Sequence, residues 1–187
     1  NKYKHVCVLK GGWSSEREVS LVSGAAVANG LRDAGYQVSE IDVKPDISEV
    51  LKALKPDVVF NGLHGTWGED GCVQGILETL KIPYTHSGVK ASALAMDKIL
   101  SKKLFKSVGI ACAQDKIVSI KELFENEPMA RPFVVKPYND GSSVGVVIVM
   151  ENDQFSEDQD GPWKNTDHLM VEKYIPGREL TVSVMGD

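Results

Sequence analysis

Hydrophobic residues in the first half of the chain occur either in short continuous runs or at helical spacing. The short runs predict strands at residues 6–9, 36–43 and 58–63. Apolar residues three and four positions apart predict helices at residues 15–35, 47–54 and 72–80. Because strands and helices alternate along this half, we expect an α/β domain built on a parallel sheet.

The second half has a different order of elements, and we place a domain boundary near residue 95, between residues 1–95 and residues 96–187. A helical stretch is interrupted near Asp97-Lys98 and is followed by an extended segment and a short helix. The segments lie at residues 91–108, 110–118 and 120–125. Two antiparallel pairs follow, at residues 133–135 with 144–149 and 169–175 with 179–185, separated by a loop or short helix at residues 154–167. This order predicts an α+β domain.

The first strand runs into Lys10-Gly11-Gly12, and a helix begins directly afterwards. Ser15 and Glu18 have the spacing of a capping box, and Gly35 is a natural end for the helix. Ligands of parallel sheets bind where helix N-termini meet the carboxyl ends of strands. Glu16 lies at this point. It either complements the helix dipole, which is the commoner use of such an acid, or it receives a substrate ammonium.

The third predicted strand continues into His64 and a loop rich in glycine and acidic residues. His64 fits either a structural hydrogen bond or a substrate contact. No second histidine lies close to it in the sequence, which argues against a metal site. Cys7, Cys72 and Cys112 show no CxxC spacing, and we expect buried, reduced thiols.

The most informative stretch is the hairpin over residues 131–150. Lys136 stands at the entrance of its turn, and the turn itself carries glycines and hydroxyls at Gly141, Ser142, Ser143 and Gly145. Small side chains and accessible N–H groups suit a loop that wraps phosphate oxygens. A solvated hairpin tip is the simpler alternative. Lys98, in a helical stretch rich in small apolar residues, is a solvated lysine or a further phosphate contact.

The amino-acid composition excludes some classes of protein and of partner. The 187 residues are 42% apolar and 25% charged, which indicates an ordinary globular protein. A formal net charge of −5 and the lack of a long basic run argue against a nucleic-acid partner. No apolar run approaches the roughly 20 residues of a membrane helix, and no N-terminal signal peptide is evident, so we expect a cytoplasmic protein.

Five segments, GGWSSEREVSL, LHGTWGEDG, ASALAMDK, VVKPYNDGSSVGV and VEKYIPGRELTV, occur in this order. With them the chain closely resembles the D-alanine–D-alanine ligase family of the ATP-grasp superfamily, from Val6 to the last residue. The resemblance implies a Rossmann-like substrate domain followed by an α+β ATP-grasp domain that is incomplete at its C-terminus. Trp13 and Trp67 are small departures, at positions where the family varies.

The resemblance also implies roles for individual residues. Glu16 would hold the ammonium of the first D-alanine and would be hydrogen-bonded to Ser142, both with catalytic roles, while Val19 and His64 would line the same pocket. The residues implied to bind ATP are Lys98, Lys136, Gly141, Ser142, Ser143, Glu172, Lys173, Tyr174, Ile175 and Glu179.

The implied reaction is ATP-dependent ligation of two D-alanines through an acyl phosphate, for peptidoglycan precursors. Magnesium or manganese ligands would lie beyond Asp187, so we expect the 187-residue chain alone to be inactive. The implied partners are D-alanine, ATP and a second copy in a homodimer. Whether D-lactate or D-serine replaces the second alanine stays open. An NAD-binding Rossmann protein is disfavoured because GGWSSE is not GxGxxG. A nucleotide-binding regulatory or pseudo-ligase fragment is the non-enzymatic alternative.

Overall fold

The computed structural model describes residues 2–139, 141, 145–164 and 166–184. The chain forms two compact units, one of Asn1–Val108 with Asn139–Ser142 and one of Gly109–Tyr138 with Ser143–Asp187. The division at Val108 lies later than the boundary near residue 95 that we placed from the sequence. Over the described residues, no helix is both long and apolar enough to cross a membrane.

The first unit contains a parallel sheet, as predicted. Its described strands are β1 (His5–Lys10), β2 (Gln37–Asp42) and β3 (Val58–Asn61), in the order β2-β1-β3. Its helices are α1 (Arg17–Asp33), α2 (Ile47–Leu54), α3 (Cys72–Leu80), α4 (Val89–Met96) and α5 (Lys98–Ser107). The carboxyl ends of β1 and β3 are neighbours, so the loops that follow these strands lie side by side.

Apolar side chains from the strands and from α2 and α3 form the core of this unit. Fully buried members are Cys7, Leu9, Ile47, Leu51, Val59 and Leu77. Burial raises the pKa of the Cys7 thiol to about 12, so this cysteine is inert. All three cysteines are free, as expected, but Cys72 is exposed and Cys112 half-buried. The expectation of three buried thiols was therefore wrong for these two.

Helix ends account for two differences from the sequence-based expectations. The capping box predicted for Ser15 and Glu18 is absent, because α1 has Glu16 as its N-cap and makes no side-chain cap hydrogen bond. Glu18 is then the second helical residue rather than the third, which the box requires. The interruption predicted near Asp97 is confirmed. Asp97 N-caps α5, and its Oδ1 accepts from the N–H groups of Ile99 at 2.9 Å and Leu100 at 3.0 Å.

Contacts between α4 and α5 explain why the division between units falls after α5. The Ser101 hydroxyl on α5 donates to the carbonyl of Leu94 on α4 at 2.6 Å. The interruption at Asp97 is therefore a bend between two packed helices of one unit. A break in helical periodicity predicts where a helix ends, but it does not by itself predict a domain boundary.

The second unit contains an antiparallel sheet in the order β4-β7-β5-β6 over its described residues. The strands are β4 (Asp115–Ser119), β5 (Phe133–Lys136), β6 (Val147–Val149) and β7 (His168–Lys173). Helix α6 (Ile120–Glu125) begins with a capping box formed by Ser119 and Glu122. One sheet face packs on an aromatic cluster, whose members are Phe124, Phe133, Phe155 and Trp163.

The predicted hairpin of residues 133–135 with 144–149 is confirmed over β5 and β6, whereas Val144 lies outside the described residues. The strand predicted over residues 179–185 is wrong for residues 179–184, which adopt no strand. Its expected partner was residues 169–175, and β7 already has β4 and β5 on its two sides. Because β4 and β5 already pair with the two edges of β7, a further strand cannot pair with β7.

Candidate active site

The glycine turn after β1 is fixed by the first turns of α1. Ser20 is fully buried, and its hydroxyl oxygen accepts from the Gly11 N–H at 2.9 Å. The same hydroxyl donates to the carbonyl of Gly62 at 2.7 Å, in the loop after β3. One side chain thus ties together the two loops at the carboxyl end of the sheet.

Arg17 fixes the same turn from its other side. Its guanidinium donates to both carboxylate oxygens of Asp42 at 2.6 Å and to the carbonyl of Gly12 at 2.8 Å. The hydrogen bond from Arg17 lowers the pKa of Asp42 below its usual range. Gly11 has φ +75°, and a Cβ there would lie 2.2 Å from Asp42 Oδ1, so only glycine fits beside this ion pair.

Glu16 is the buried acid of this region, with a residue exposure of 7%. A Cβ on Gly65 would lie 2.5 Å from Glu16 Oε2, so the carboxylate rests against the backbone of the loop after β3. The Gly65 N–H donates to Glu69 Oε2 at 2.7 Å, which brings a second carboxylate to this loop. Two carboxylates converging on one backbone position favour a cationic ligand.

The loop between β5 and β6 also reaches this acidic region. Residues Asn139–Ser142 belong to the first unit, and a Cβ on Gly141 would lie 3.2 Å from Glu16 Oε2 and 3.8 Å from Glu69 Oε2. Ser142, which we expected to bond to Glu16, lies outside the described residues, as does Ser143. The described part of this loop therefore places Gly141 beside Glu16.

His64 lies next to Glu16 in the same pair of loops. Its Nε2 is 2.9 Å from the Ser23 hydroxyl, and its carbonyl accepts from the Ser14 hydroxyl at 2.8 Å. Val19 lies on α1 between Glu16 and Ser23 and is 60% exposed. Glu16, Val19 and Ser23 are spaced three and four residues apart, so they share one helix face.

A cavity of about 370 Å³ adjoins these residues inside the first unit. Its lining includes Ser23, His64, Asn61 and Gln74. The Asn61 and Gln74 amides both donate to the carbonyl of Gly68, at 2.8 and 2.9 Å. The buried Gln74 Oε1 has no hydrogen-bond partner among the described residues. The volume is in the range of small-molecule sites.

Two of the predicted nucleotide contacts form an ion pair in the second unit. Lys136 at the end of β5 binds the carboxylate of Glu172 on β7. Lys136 is directly opposite Met170 in the strand register, and Val134 is opposite Glu172. Directly opposite residues share a sheet face, so a lysine, a carboxylate and two apolar side chains lie together on the face away from the aromatic cluster.

The remaining predicted contacts lie around the end of β7 and in the first unit. The N–H groups of Lys173 and Tyr174 donate to the carbonyls of Gln114 at 2.9 Å and Pro132 at 3.2 Å. Ile175 and Glu179 are exposed. Lys98 is the first residue of α5, in the first unit. The structure thus brings Glu16, Val19 and His64 together in one unit, and Lys136 with residues 172–175 in the other.

Two family models match most of the chain. The model described as D-ala D-ala ligase N-terminus matches residues 41–87, and the model described as D-ala D-ala ligase C-terminus matches residues 104–187. D-alanine–D-alanine ligase B of Mesorhizobium japonicum is 56% identical over 188 residues, which cover 100% of this chain and 61% of the relative. This chain belongs to the D-alanine–D-alanine ligase family.

Further members of the D-alanine–D-alanine ligase family agree with this assignment. The ligase of Sinorhizobium fredii is 57% identical over 187 residues and 98% of this chain, which spans 61% of that relative as well. The crystal structure of the Bacillus anthracis ligase complexed with ATP superposes with a TM-score of 0.76 at 32% identity. The match covers 93% of this chain and 60% of that one. The predicted fold class, a parallel-sheet domain followed by an ATP-grasp domain, is therefore confirmed.

Several residues that shape the site of this D-alanine–D-alanine ligase family member were not identified from the sequence. They are Ser14, Ser20, Ser23 and Glu69. Ser20 and Ser23 follow Glu16 by four and seven positions, so helical spacing alone could have placed both on its side of α1. The Ser14 hydroxyl donates a hydrogen bond to the carbonyl of His64, in the loop after β3. Glu69 lies in that loop and accepts a hydrogen bond from the Gly65 N–H. For Ser14, this contact joins residues that are distant in sequence, and no local pattern marks it.

Proposed function

We propose that the protein catalyses ATP-dependent ligation of two D-alanines to D-alanyl-D-alanine, a step in peptidoglycan precursor synthesis. The single observation that carries this proposal is the buried Glu16 carboxylate, which rests against Gly65 with Glu69 beside it. A buried carboxylate next to a second acid is suited to a cation such as an amino-acid ammonium. The chain spans about 61% of the length of its curated relatives, so the activity belongs to the whole protein.

The first D-alanine would bind in the first unit. Its ammonium would meet Glu16, and its methyl group would contact the exposed side chain of Val19. His64, fixed through Ser14 and Ser23, would line the same pocket. Ser142 would complete the contact to Glu16. Because hydrogen bonds already hold His64, this side of the pocket would need little reorganisation to receive the substrate.

ATP would lie on the sheet of the second unit. A lysine ammonium has three donors, so Lys136 can keep its contact with Glu172 and still bind a phosphate oxygen. Lys98, Gly141, Ser142 and Ser143 would supply further phosphate contacts. The adenine would lie against residues 172–175, where the Lys173 and Tyr174 N–H groups are already engaged, so carbonyls would accept from its amino group. Glu179 would bind the ribose hydroxyls.

The proposed reaction has two steps. The carboxylate of the first D-alanine attacks the γ-phosphorus of ATP, which gives an acyl phosphate and releases ADP. The amine of the second D-alanine then attacks the acyl carbon, and the tetrahedral intermediate expels phosphate. Negative charge accumulates in the first step, and cationic side chains with loop N–H groups stabilise it.

A divalent cation is the usual partner of ATP in such reactions. Over the described residues, no group of three or more His, Cys, Asp and Glu side chains is arranged to hold one. We propose that magnesium accompanies ATP and would shield the phosphate charge, held by ligands other than these described residues. A cytoplasmic location and a homodimer complete the proposal.

The experiment compares Glu16→Gln with Glu18→Gln in a protein extended to the length of its relatives. Glu18 is an exposed acid in the same first turn of α1. Charge-assisted contacts contribute about 1.5–3 kcal/mol, so Glu16→Gln should raise the KM for the first D-alanine roughly 10- to 100-fold. The KM for ATP should stay close to that of the parent protein. Glu18→Gln should change neither constant.

Steady-state phosphate release at varied D-alanine concentration measures both constants. Thermal melting provides the control for folding, since Glu16 makes no side-chain cap hydrogen bond that the amide would lose. A lowered melting temperature with unchanged kinetics would show that Glu16 serves only the helix. ATP binding without any D-alanine-dependent phosphate release would favour a nucleotide-binding regulatory protein.

A further inference from the structure

The Ser23 hydroxyl lies between His64 and the backbone of α1. Its oxygen is 2.9 Å from His64 Nε2 and 3.0 Å from the carbonyl oxygen of Val19, one turn earlier in the helix. A longer contact of 3.4 Å reaches the carbonyl of Ser20. Ser23 is half-buried, so these protein groups surround a large part of its side chain.

These three neighbours limit how the hydroxyl proton can be used. A hydroxyl has one proton to donate and two lone pairs that accept. Carbonyl oxygens only accept, so both helix carbonyls compete for that proton. If the proton goes to Val19, the Ser23 oxygen can accept only from a protonated His64 Nε2, and both short contacts are hydrogen bonds. If the proton instead goes to His64 Nε2, the contact with Val19 places two acceptors 3.0 Å apart.

We propose that Ser23 is a positioning residue that holds the neutral His64 ring as its Nε2–H tautomer. Nδ1 then carries the lone pair and acts as a hydrogen-bond acceptor. The step from this tautomer to the substrate rests on the proposed function. An imidazole that accepts at Nδ1 is complementary to an N–H of the first D-alanine, as the Glu16 carboxylate is. The opposite tautomer would offer a donor, which is complementary to the substrate carboxylate instead.

The tautomer is measured directly by NMR on the uniformly ¹⁵N-labelled chain. A two-bond ¹H–¹⁵N correlation of the imidazole rings, recorded at about pH 8, distinguishes protonated from unprotonated ring nitrogens. A His64→Gln sample assigns the His64 signals. We expect the Nε2–H pattern for His64, and an Nδ1–H pattern in the parent chain would overturn the proposal without any need for a variant.

Variants at Ser23 test its part in holding the tautomer. Ser23→Ala should shift His64 toward a mixture of tautomers, and Ser23→Thr, which keeps the hydroxyl, should restore the Nε2–H pattern. Ser39→Ala is the matched control, since Ser39 Oγ lies 2.9 Å from the Nε2 of His5 and should affect that ring alone. An unchanged His64 pattern in Ser23→Ala would show that another group sets the tautomer.

The link to substrate is tested in the protein extended to the length of its relatives. Ser23→Ala should raise the KM for the first D-alanine about 3- to 10-fold, with a smaller effect on kcat and none on the KM for ATP. Ser23→Thr should recover most of the loss. A shifted tautomer with an unchanged KM would overturn the link to substrate. An Nε2–H ring in a protein that shows no D-alanine dependence would overturn the proposed function but leave the role of Ser23 standing.

Discussion

Glu40 on β2 shows how individual charges support the sheet that carries the site. Its carboxylate binds Lys10, the last residue of β1, and accepts from Arg32 Nη2 at 2.6 Å. The Lys10 and Glu40 side chains are 19% and 23% exposed, so water screens their attraction only in part. The hydrogen bond from Lys10, followed by that from Arg32, lowers the pKa of Glu40.

We predict that Glu40→Gln lowers the free energy of unfolding at pH 7 by about 1 kcal/mol, because two charge-assisted hydrogen bonds weaken. Glu40 titrates at a lower pH in the folded chain than in the unfolded one. Its contribution is thus complete above the ordinary glutamate pKa of about 4.3 and is lost as pH falls through the lowered folded value. The difference in free energy of unfolding between the parent chain and Glu40→Gln, measured by urea unfolding, should be smaller at pH 3 than at pH 7.

Asp33→Asn is the control for this prediction, because it removes an exposed carboxylate from the C-terminal end of α1. A negative charge there opposes the helix dipole, so its loss should not lower stability. If the Glu40→Gln difference kept its full size at pH 3, the loss would come from packing rather than from charge.

Individual residues also mark the limit of prediction from sequence. Glu16 and His64 were predicted as candidate contacts because each follows a strand in a glycine-rich loop, and this pattern is local. The Ser15–Glu18 capping box was wrong by one position, since Glu16 rather than Ser15 is the N-cap. The real box at Ser119 and Glu122 has the same spacing. Spacing alone does not separate a true cap from a false one, because the helix start also depends on contacts such as Arg17 with Asp42.

Strands β5 and β7 together position the charged pair proposed to bind nucleotide. Lys136 and Glu172 are not opposite in the register but diagonal, since Lys136 faces Met170 and Glu172 faces Val134. Diagonal neighbours on a sheet are within reach of a long lysine side chain. The antiparallel pairing of these two strands therefore holds the ammonium over one sheet face.

We predict that Lys136→Ala weakens ATP binding far more than Lys103→Ala, which removes an exposed lysine of α5. A charge-assisted contact to phosphate contributes about 1.5–3 kcal/mol, so the Kd for ATP should rise roughly 10- to 100-fold. Isothermal titration calorimetry measures both variants, and Lys136→Arg should retain part of the affinity. Equal affinities for the two alanine variants would remove the assignment of Lys136 to phosphate.

Strand positions were predictable where an apolar run sets them, as in β1, β3 and β5. The strand expected at residues 179–185 shows where this rule stops. Leu180, Val182 and Val184 alternate with polar residues, which is a strand pattern, yet they are 76%, 82% and 89% exposed. An alternating sequence forms a strand only when it pairs with a free edge of a sheet. In the order β4-β7-β5-β6 the expected partner strand, β7, has no free edge. Sheet order is a long-range property that the local pattern does not contain.

At the scale of the whole molecule, each unit has its own core. The first unit packs around residues of β1, β3, α2 and α3, and the second around the aromatic cluster and the inner face of its sheet. The proposed substrate contacts divide in the same way, with Glu16 and His64 in one unit and Lys136 and Glu172 in the other. The proposed function therefore assigns roles to residues of each unit.

We predict that a polypeptide of residues 1–187 does not release phosphate in the presence of ATP, magnesium and D-alanine. A polypeptide of these residues spans about 61% of the length of its relatives. We expect it to lack the magnesium ligands of the proposed reaction, so the charge that develops on the phosphate would be unshielded. Loss of one such electrostatic contribution costs on the order of a hundredfold to a thousandfold in rate. A protein extended to the length of its relatives is the positive control. Robust D-alanine-dependent turnover by the shorter polypeptide would show that its metal site lies within these residues.

The buried hydroxyl of Ser20 has a consequence for motion at the site. It holds the Gly11 N–H and the Gly62 carbonyl at once, so neither loop can open locally without disturbing the bond to the other. Amide hydrogen exchange should reveal this shared opening. In Ser20→Ala, exchange should accelerate at Gly11 and also at Gly65, whose N–H is bonded to Glu69. Acceleration confined to Gly11 would mean that the loops open independently. Joint acceleration would make exchange of the Gly11 amide a reporter of local opening in the loop around His64, which is remote from Gly11 along the chain.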